Sequence, residues 1–149
     1  MPNDQCPSND QGPTPKASPP DTMGGRAARA RPVYDLEERT AKFAEAVIGL
    51  AARIQRTPVT TRVIEQFVGS GTSIGANYCE AEDSISRKEF RKNVGICRKE
   101  AKETKYWLRV IATAAPELRE DARSLWKEAN ELHLIFCKTM QTLEAEGGS

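Results

Sequence analysis

The chain has 149 residues, enough for one domain with its own core, and its 22 basic and 21 acidic side chains leave a formal net charge of only +1. This near balance excludes a strong overall attraction to nucleic acid, although it does not exclude a local basic surface. No run of apolar residues approaches the roughly 20 that a membrane-spanning helix needs, so we expect no membrane contact.

The first 33 residues contain seven of the nine prolines and few apolar side chains. Such a segment cannot bury enough apolar surface to offset the entropy of ordering it, so we predict a disordered tail over residues 1–33. It has no apolar run typical of a secretory signal, and we therefore expect a cytoplasmic protein. In that compartment we expect all four cysteines to be free thiols, namely Cys6, Cys79, Cys97 and Cys137.

The first predicted helix begins at Asp35, a residue type that caps helices, and carries Glu37 and Glu38 in its first turn. We expect this helix to end near Arg56, because Pro58 restricts the backbone of the preceding residue. Its apolar residues recur at helical spacing and form one stripe: Leu36, Phe43, Val47, Leu50 and Ile54.

A second helix is predicted by a stripe that runs from Ile64 to Ile85. Its middle contains Gly69, Gly71 and Gly75, and each glycine costs a helix about 1 kcal/mol relative to alanine. We interpret these small residues as a site of tight packing against a neighbouring helix. A phosphate-binding loop is the alternative, but the segment lacks the lysine of that motif and lies within a periodic helix.

The third helix begins with a capping box formed by Ser86 and Glu89, and it extends to about Ala112. One face is an apolar stripe of Phe90, Val94, Cys97, Ala101, Thr104, Leu108 and Ile111. The rest of the helix is basic, with nine lysines and arginines against three glutamates. As a candidate nucleic-acid-binding surface we select Lys88, Arg91, Lys92, Arg98, Lys99, Lys102, Lys105 and Arg109. Pairing of these bases with acids on the flanking helices is the alternative.

The fourth helix follows Pro116, a residue suited to a first helical position, and ends at Gly147 and Gly148. Its stripe contains Leu118, Ala122, Leu125, Ala129, Leu132, Phe136, Thr139 and Leu143. Beside the stripes of the third and fourth helices lie further large side chains, which we interpret as an oligomer interface: Tyr106, Trp107, Trp126, His133 and Met140.

Four long helices joined by short links predict an all-α protein, an up-down-up-down antiparallel four-helix bundle. We place the bundle at residues 34–146 and a flexible C-terminus at residues 147–149.

Candidate sites for metal and catalytic chemistry are few. His133 and Cys137 are four residues apart and could share a metal with Cys97 or Cys79, but no local ligand cluster supports this, and we predict no metal and no cofactor. The apolar stripes contain no carboxylate, unlike those of di-iron bundles. A catalytic set would have to use the single histidine, so we predict a protein that is not an enzyme.

The chain resembles a family of small four-helix-bundle proteins encoded inside intervening sequences of bacterial 23S rRNA genes, the S23 proteins. The similar segments are residues 35–44 (DLEERTAKFA), Gln66 with residues 70–81, residues 99–104 (KEAKET) with residues 106–108, and residues 128–129 with residues 131–132. The resemblance implies a ring-like homopentamer without enzymatic activity. It also extends to proteins that assist reverse transcriptases in diversity-generating retroelements, where a basic surface engages nucleic acid.

Two functional hypotheses follow. The first is a cytoplasmic, self-associating bundle that acts as an RNA- or DNA-binding accessory factor through its basic third helix. The second is a protein-interaction scaffold in which basic and acidic helices pair across subunits and no nucleic acid binds.

Overall fold

The computed structural model describes residue 6 and residues 35–147, which form four α-helices and one short 3-10 helix. The helices are α1 (Leu36–Arg53), α2 (Thr60–Glu82), α3 (Arg87–Ala114) and α4 (Arg119–Gly147), and the 3-10 helix Pro116–Leu118 leads into α4. The predicted disordered tail lies outside the described residues except for Cys6. Of the predicted flexible C-terminus, Gly147 belongs to α4, and the remaining two residues lie outside the described range.

The predicted helix starts are confirmed by their caps. The Asp35 carboxylate accepts a hydrogen bond from the backbone N–H of Glu38 at 3.2 Å. The Ser86 hydroxyl accepts one from the backbone N–H of Glu89 at 3.1 Å, and the Glu89 carboxylate accepts from the backbone N–H of Ile85. These bonds satisfy donors that have no partner within the helix.

Two predicted helix ends are wrong by a few residues. α1 ends at Arg53 rather than near Arg56, because the link to α2 has its own hydrogen bonds: the Thr60 hydroxyl donates to the Gln55 carbonyl at 2.6 Å and accepts from the Thr57 N–H at 2.8 Å. α2 ends at Glu82, and Ile85, which the spacing assigns to its stripe, is 96% exposed. A stripe read from spacing alone does not show where the chain leaves the helix.

The apolar stripes of the four helices meet in one core. The largest fully buried apolar side chains are Val47, Phe67, Ile74, Val94, Leu108, Ile111, Leu132 and Phe136. Within residues 35–147 no β-strand is present, as the all-α prediction requires. Leu125 is only partly buried, and the neighbouring Trp126 is the more enclosed of the two.

Two of the three glycines of α2, Gly71 and Gly75, mark its contact with α1, whereas a Cβ added to Gly69 would meet nothing within 4 Å. A Cβ added to Gly71 would lie 2.7 Å from a methyl carbon of Val47, and one added to Gly75 would lie 3.0 Å from the Thr40 hydroxyl oxygen. Only a residue without a side chain allows α1 to come this close. The predicted tight packing is therefore confirmed, and the segment is helix rather than a phosphate-binding loop.

Each helix packs against its neighbour in the chain, and α1 also contacts α4, so that the four helices form a closed ring. Arg87 at the start of α3 pairs with Glu146 near the end of α4. Arg39 near the start of α1 pairs with Glu128 and Glu131 on α4. These contacts are compatible with the predicted up-down order.

Candidate nucleic-acid interface and a buried polar cluster

The basic residues of α3 lie on the side of the helix that faces solvent and leans towards α4. At about 100° per residue, Lys88, Lys92, Lys99 and Lys102 fall within an arc of roughly 80°. All four are exposed, as are Arg91 and Arg109, whereas Arg98 is half-buried. We call the exposed and half-buried members the basic face: Lys88, Arg91, Lys92, Arg98, Lys99, Lys102 and Arg109.

The acids of α3 lie to one side of the basic face. By the same rotation, Glu89 and Glu100 lie roughly 60° and 80° beyond the arc of lysines, and Glu103 borders it at roughly 20°. Burial, followed by the nearby charge of Glu103, raises the pKa of Glu100. The basic and acidic side chains of α3 therefore lie on different sides of the helix axis, which concentrates positive charge on one strip of its surface.

Acids of α4 pair with two arginines at the beginning of α3. Arg87 pairs with Glu146, and the Arg91 guanidinium lies 3.5 Å from the Glu144 carboxylate. Among residues 35–147, no carboxylate forms an ion pair with Lys88, Lys92, Arg98, Lys99, Lys102 or Arg109. Ion pairs within the chain thus neutralise the two arginines at the start of α3, and most of the basic face stays exposed to solvent. An open depression lies along this face, and Gly95, Ile96 and Met140 line it together with the basic residues.

Lys105 is the one member of the predicted nucleic-acid surface that the structure places elsewhere. Its side chain is 1% exposed, between α3 and α4, and it therefore cannot contribute to a solvent-facing surface. Its ammonium donates to the Asn130 side-chain oxygen at 3.0 Å and lies 3.2 Å from Nδ1 of His133. It also lies 5.5 Å from the ring centre of Trp126, a cation–π contact.

The residues beside the α4 stripe, predicted to form an oligomer interface, are mostly core. Trp126, His133 and Met140 are all at least nine-tenths buried within one chain. They are buried by packing against α3 of the same chain, so the prediction that these three side chains form an oligomer interface is wrong. On α3 the facing residues include Lys105, beside His133 and Trp126, and Gly95, where an added Cβ would lie 3.7 Å from the terminal methyl carbon of Met140.

The other two predicted interface residues do reach the surface. Tyr106 is 54% exposed, and Trp107 is half-buried with its indole N–H donating to Glu103 at 3.2 Å. Their rings contact each other edge to face. Next to Tyr106 lies an apolar groove lined by Val63, Val110 and Val59, the last of which is 75% exposed. We call Val59, Val63, Tyr106 and Val110 the apolar patch.

The cysteines do not all stay free. Cys6 and Cys137 form a disulfide with Cα atoms 6.0 Å apart, which corrects the expectation of four free thiols. Cys79 is free and exposed, and Cys97 is free and buried, with its Sγ 3.5 Å from the Ile74 carbonyl. The prediction failed because the pairing joins residues 131 positions apart, which no local pattern records.

The disulfide completes a polar cluster around the single histidine. Nε2 of His133 lies 3.5 Å from Sγ of Cys137 and 3.9 Å from Sγ of Cys6, and Nδ1 faces Lys105. Cys97 and Cys79, the partners considered for His133 from the sequence, lie outside this group of three. The cluster was missed because Cys6 belongs to the predicted disordered tail.

None of the described helices is long and apolar enough to cross a membrane.

Comparisons with known proteins agree with this architecture. Residues 34–138 match the sequence profile of the family described as 23S rRNA-intervening sequence protein. A crystal structure of a protein of unknown function from the S23 ribosomal protein family of Bacteroides thetaiotaomicron VPI-5482 is similar, with a TM-score of 0.64 and 30% sequence identity. The similarity covers 70% of this chain and 96% of that one. No curated protein matches the chain.

Proposed function

Because the chain belongs to the 23S rRNA-intervening sequence protein family, we propose that it is a non-enzymatic, self-associating bundle of the bacterial cytoplasm that binds nucleic acid through the basic face of α3. The observation that carries this proposal is the set of exposed cations on that face without a carboxylate partner among residues 35–147. Phosphate contacts by such cations supply most of the affinity of non-specific binding.

The chemistry of the face favours phosphate over base readout. The four cations within its 80° arc are all lysines, and lysine acts as a compact point charge rather than as a planar fork for guanine. Six contacts to duplex phosphates correspond to a slope of log K on log salt of about −5, which is a loss of about a thousandfold between 50 and 200 mM salt. We therefore expect binding that depends strongly on salt and weakly on sequence.

The test is titration of labelled structured RNA and duplex DNA by fluorescence anisotropy at several salt concentrations. The triple variant Lys92→Glu, Lys99→Glu, Lys102→Glu should lower affinity by about tenfold or more and flatten the salt slope. A matched control carries the same charge change on other helices, as Lys42→Glu, Lys127→Glu, Lys138→Glu, whose positions are all exposed on α1 and α4. Equal losses in the two variants, or no binding by the natural chain, would eliminate the basic face as the site.

Self-association through the apolar patch is the second part of the proposal. Two exposed apolar side chains, Val59 and Tyr106, border one groove at the α2–α3 side of the bundle. Aromatic side chains are enriched where subunits meet. A ring of five copies is the assembly that the resemblance to S23 proteins implies, and this patch supports self-association rather than a particular number of copies.

A pure protein-interaction scaffold remains the second candidate function. The pairs that Arg87 and Arg91 make with acids of α4 favour it, because they show that acidic side chains can neutralise this helix. If the remaining cations pair with acids of other subunits, high salt should dissociate the oligomer and nucleic acid should not bind. Sedimentation velocity at low and high salt separates the two candidates.

A further inference from the structure

The cluster around His133 has the donor set of a zinc site. It contains two cysteine sulfurs and one imidazole nitrogen, and these three atoms of Cys6, His133 and Cys137 lie within 4.8 Å of one another. Thiolate and imidazole together are ligands that select zinc among the common divalent ions. We propose that, once the Cys6–Cys137 disulfide is reduced, this triad binds one Zn²⁺ ion, and that the disulfide and the metal exclude each other.

The distances from the imidazole to the two sulfurs fit a tetrahedral ion. Zn–S bonds of about 2.3 Å and Zn–N bonds of about 2.0 Å place a nitrogen and a sulfur about 3.6 Å apart in a tetrahedral site. Nε2 of His133 is 3.5 Å from Sγ of Cys137 and 3.9 Å from Sγ of Cys6. Reduction frees the two sulfurs to separate to the roughly 3.8 Å that such a site requires.

The scaffold that holds two of the ligands is rigid. His133 and Cys137 are one turn apart on α4 and both are buried, so their side chains project from the same face of the helix. Cys6 supplies the third ligand from a distant part of the chain. Three protein ligands leave the fourth tetrahedral position for water or another donor.

The contact at the other ring nitrogen differs between the two states. The Lys105 ammonium is only a donor, so its contact with Nδ1 of His133 leaves the ring proton on Nε2 beside the sulfurs. Zinc at Nε2 requires the ring proton on Nδ1, so the Lys105 side chain must turn away from Nδ1 when zinc binds, and it keeps the Asn130 oxygen, 3.0 Å away, as an acceptor.

The conversion of the disulfide form into the zinc-bound form is balanced in electrons and protons. A dithiol reductant gives two electrons and two protons to the Cys6–Cys137 bond and becomes a cyclic disulfide. Zinc binding then forms two Zn–S bonds and releases the two thiol protons. In a reducing cytoplasm the dithiol is the favoured state, so the zinc form is the one that the proposed cellular location selects.

Zinc titration of the full-length chain, purified without added metal, tests this site. Reduced protein, freed of reductant without oxygen, should take one equivalent of Zn²⁺ from a chromophoric chelator, and protein with an intact disulfide should take none. Co²⁺ in place of zinc should give the sulfur-to-metal charge-transfer absorption and visible bands of tetrahedral thiolate coordination. No metal uptake by the reduced chain would overturn the proposal.

Variants separate this triad from adventitious thiol binding. Cys6→Ser removes a ligand outside the helices and should weaken zinc binding by roughly a hundredfold or more, since even residues that only orient a ligand account for 10- to 100-fold. Cys79→Ser removes an exposed free thiol and should bind as the natural chain does. Circular dichroism confirms that both variants fold. Zinc binding that survives in Cys6→Ser, or that disappears in Cys79→Ser, would contradict the assignment.

Discussion

At the scale of single residues, the interface between α2 and α3 holds two groups that resist ionisation. Burial raises the pKa of the Cys97 thiol to about 12. Burial, followed by the charge of Glu82, raises the pKa of the Tyr78 hydroxyl to about 12. In the unfolded chain both groups lose their protons at lower pH. The folded state therefore binds more protons than the unfolded state over this range, and its stability decreases as the pH rises.

We predict that the free energy of unfolding falls above pH 9, the ordinary pKa of a cysteine thiol such as Cys97 in the unfolded chain. Cys97 contributes at most about 1.4 kcal/mol per pH unit, because a shift of one pKa unit corresponds to that free energy. Cys97→Ala should remove part of this slope between pH 9 and 10, measured by urea unfolding with circular dichroism. Cys79→Ala, at the exposed thiol, should retain the full slope, and the same slope in both variants would contradict the role of Cys97.

Ion pairs of a single arginine, Arg39, link α1 to α4. The Arg39 guanidinium donates to both oxygens of Glu128, at 2.6 and 3.1 Å, and also pairs with Glu131. The hydrogen bond to Glu128 raises the pKa of Arg39 further, despite the opposing effect of its burial. A planar guanidinium that meets a carboxylate with two donors fixes direction as well as distance. This pairing therefore constrains the orientation of α1 against α4, although the two helices are far apart in the sequence.

At the scale of helices, α2 gives up intrinsic helix propensity to approach α1. Gly71 and Gly69 lie two residues apart in the same helix, yet only Gly71 faces a neighbour. A Cβ on Gly71 would meet two methyl carbons of Val47 at 2.7 and 2.8 Å, whereas a Cβ on Gly69 would meet nothing within 4 Å. Alanine substitutions at these two positions therefore distinguish the effect of packing from the effect of helix propensity.

We predict opposite effects of alanine at these two positions. Gly69→Ala should stabilise the protein by about 0.4 to 1 kcal/mol, since it adds propensity without a clash. Gly71→Ala should destabilise it by about 1 to 2 kcal/mol, because overpacking of a full core costs 1 to 3 kcal/mol and exceeds the gain in propensity. Thermal and urea unfolding measure both. Stabilisation by Gly71→Ala would show that α1 and α2 do not pack this closely.

At the scale of the whole molecule, the surface carries a basic face on α3 and, next to it, an apolar patch between the start of α2 and the second half of α3. Tyr106 lies between basic residues Lys102 and Arg109 in sequence, and Arg109 lines the groove of the patch. The two surfaces are therefore contiguous. Assembly through the patch would bring the basic faces of several copies close together, which raises the affinity for a long polyanion through multivalency.

We predict that Tyr106→Glu weakens self-association, because it places a charge in an apolar contact. Sedimentation equilibrium should show dissociation at concentrations where the natural chain is assembled. Ile85→Glu is the matched control, since Ile85 is also a large apolar residue, 96% exposed, but lies in the turn between α2 and α3. A natural chain that is monomeric at high concentration would remove the basis for assigning this role to the patch.

Local periodicity predicted the helices and most of the core correctly. Spacing of three and four, together with the caps at Asp35 and Ser86, requires only neighbouring residues, and the core residues Leu108 and Phe136 are buried as expected. The position of most basic residues on the exposed side of α3 could also be predicted from the sequence, because successive residues of a helix are rotated by a fixed angle. The membership of the family follows from the same segments.

Which polar side chains the bundle encloses was decided only by the tertiary structure. Lys105 resembles its basic neighbours in sequence, yet Asn130 and His133 on the opposing helix provide the hydrogen-bond partners that make its burial possible. Cys6 meets Cys137 across 131 positions of the chain. The sequence by itself thus determined the helices and their charged and apolar faces, since these depend on residues a few positions apart. The proximity of distant side chains depends on how the faces meet in space, so only the folded bundle reveals it.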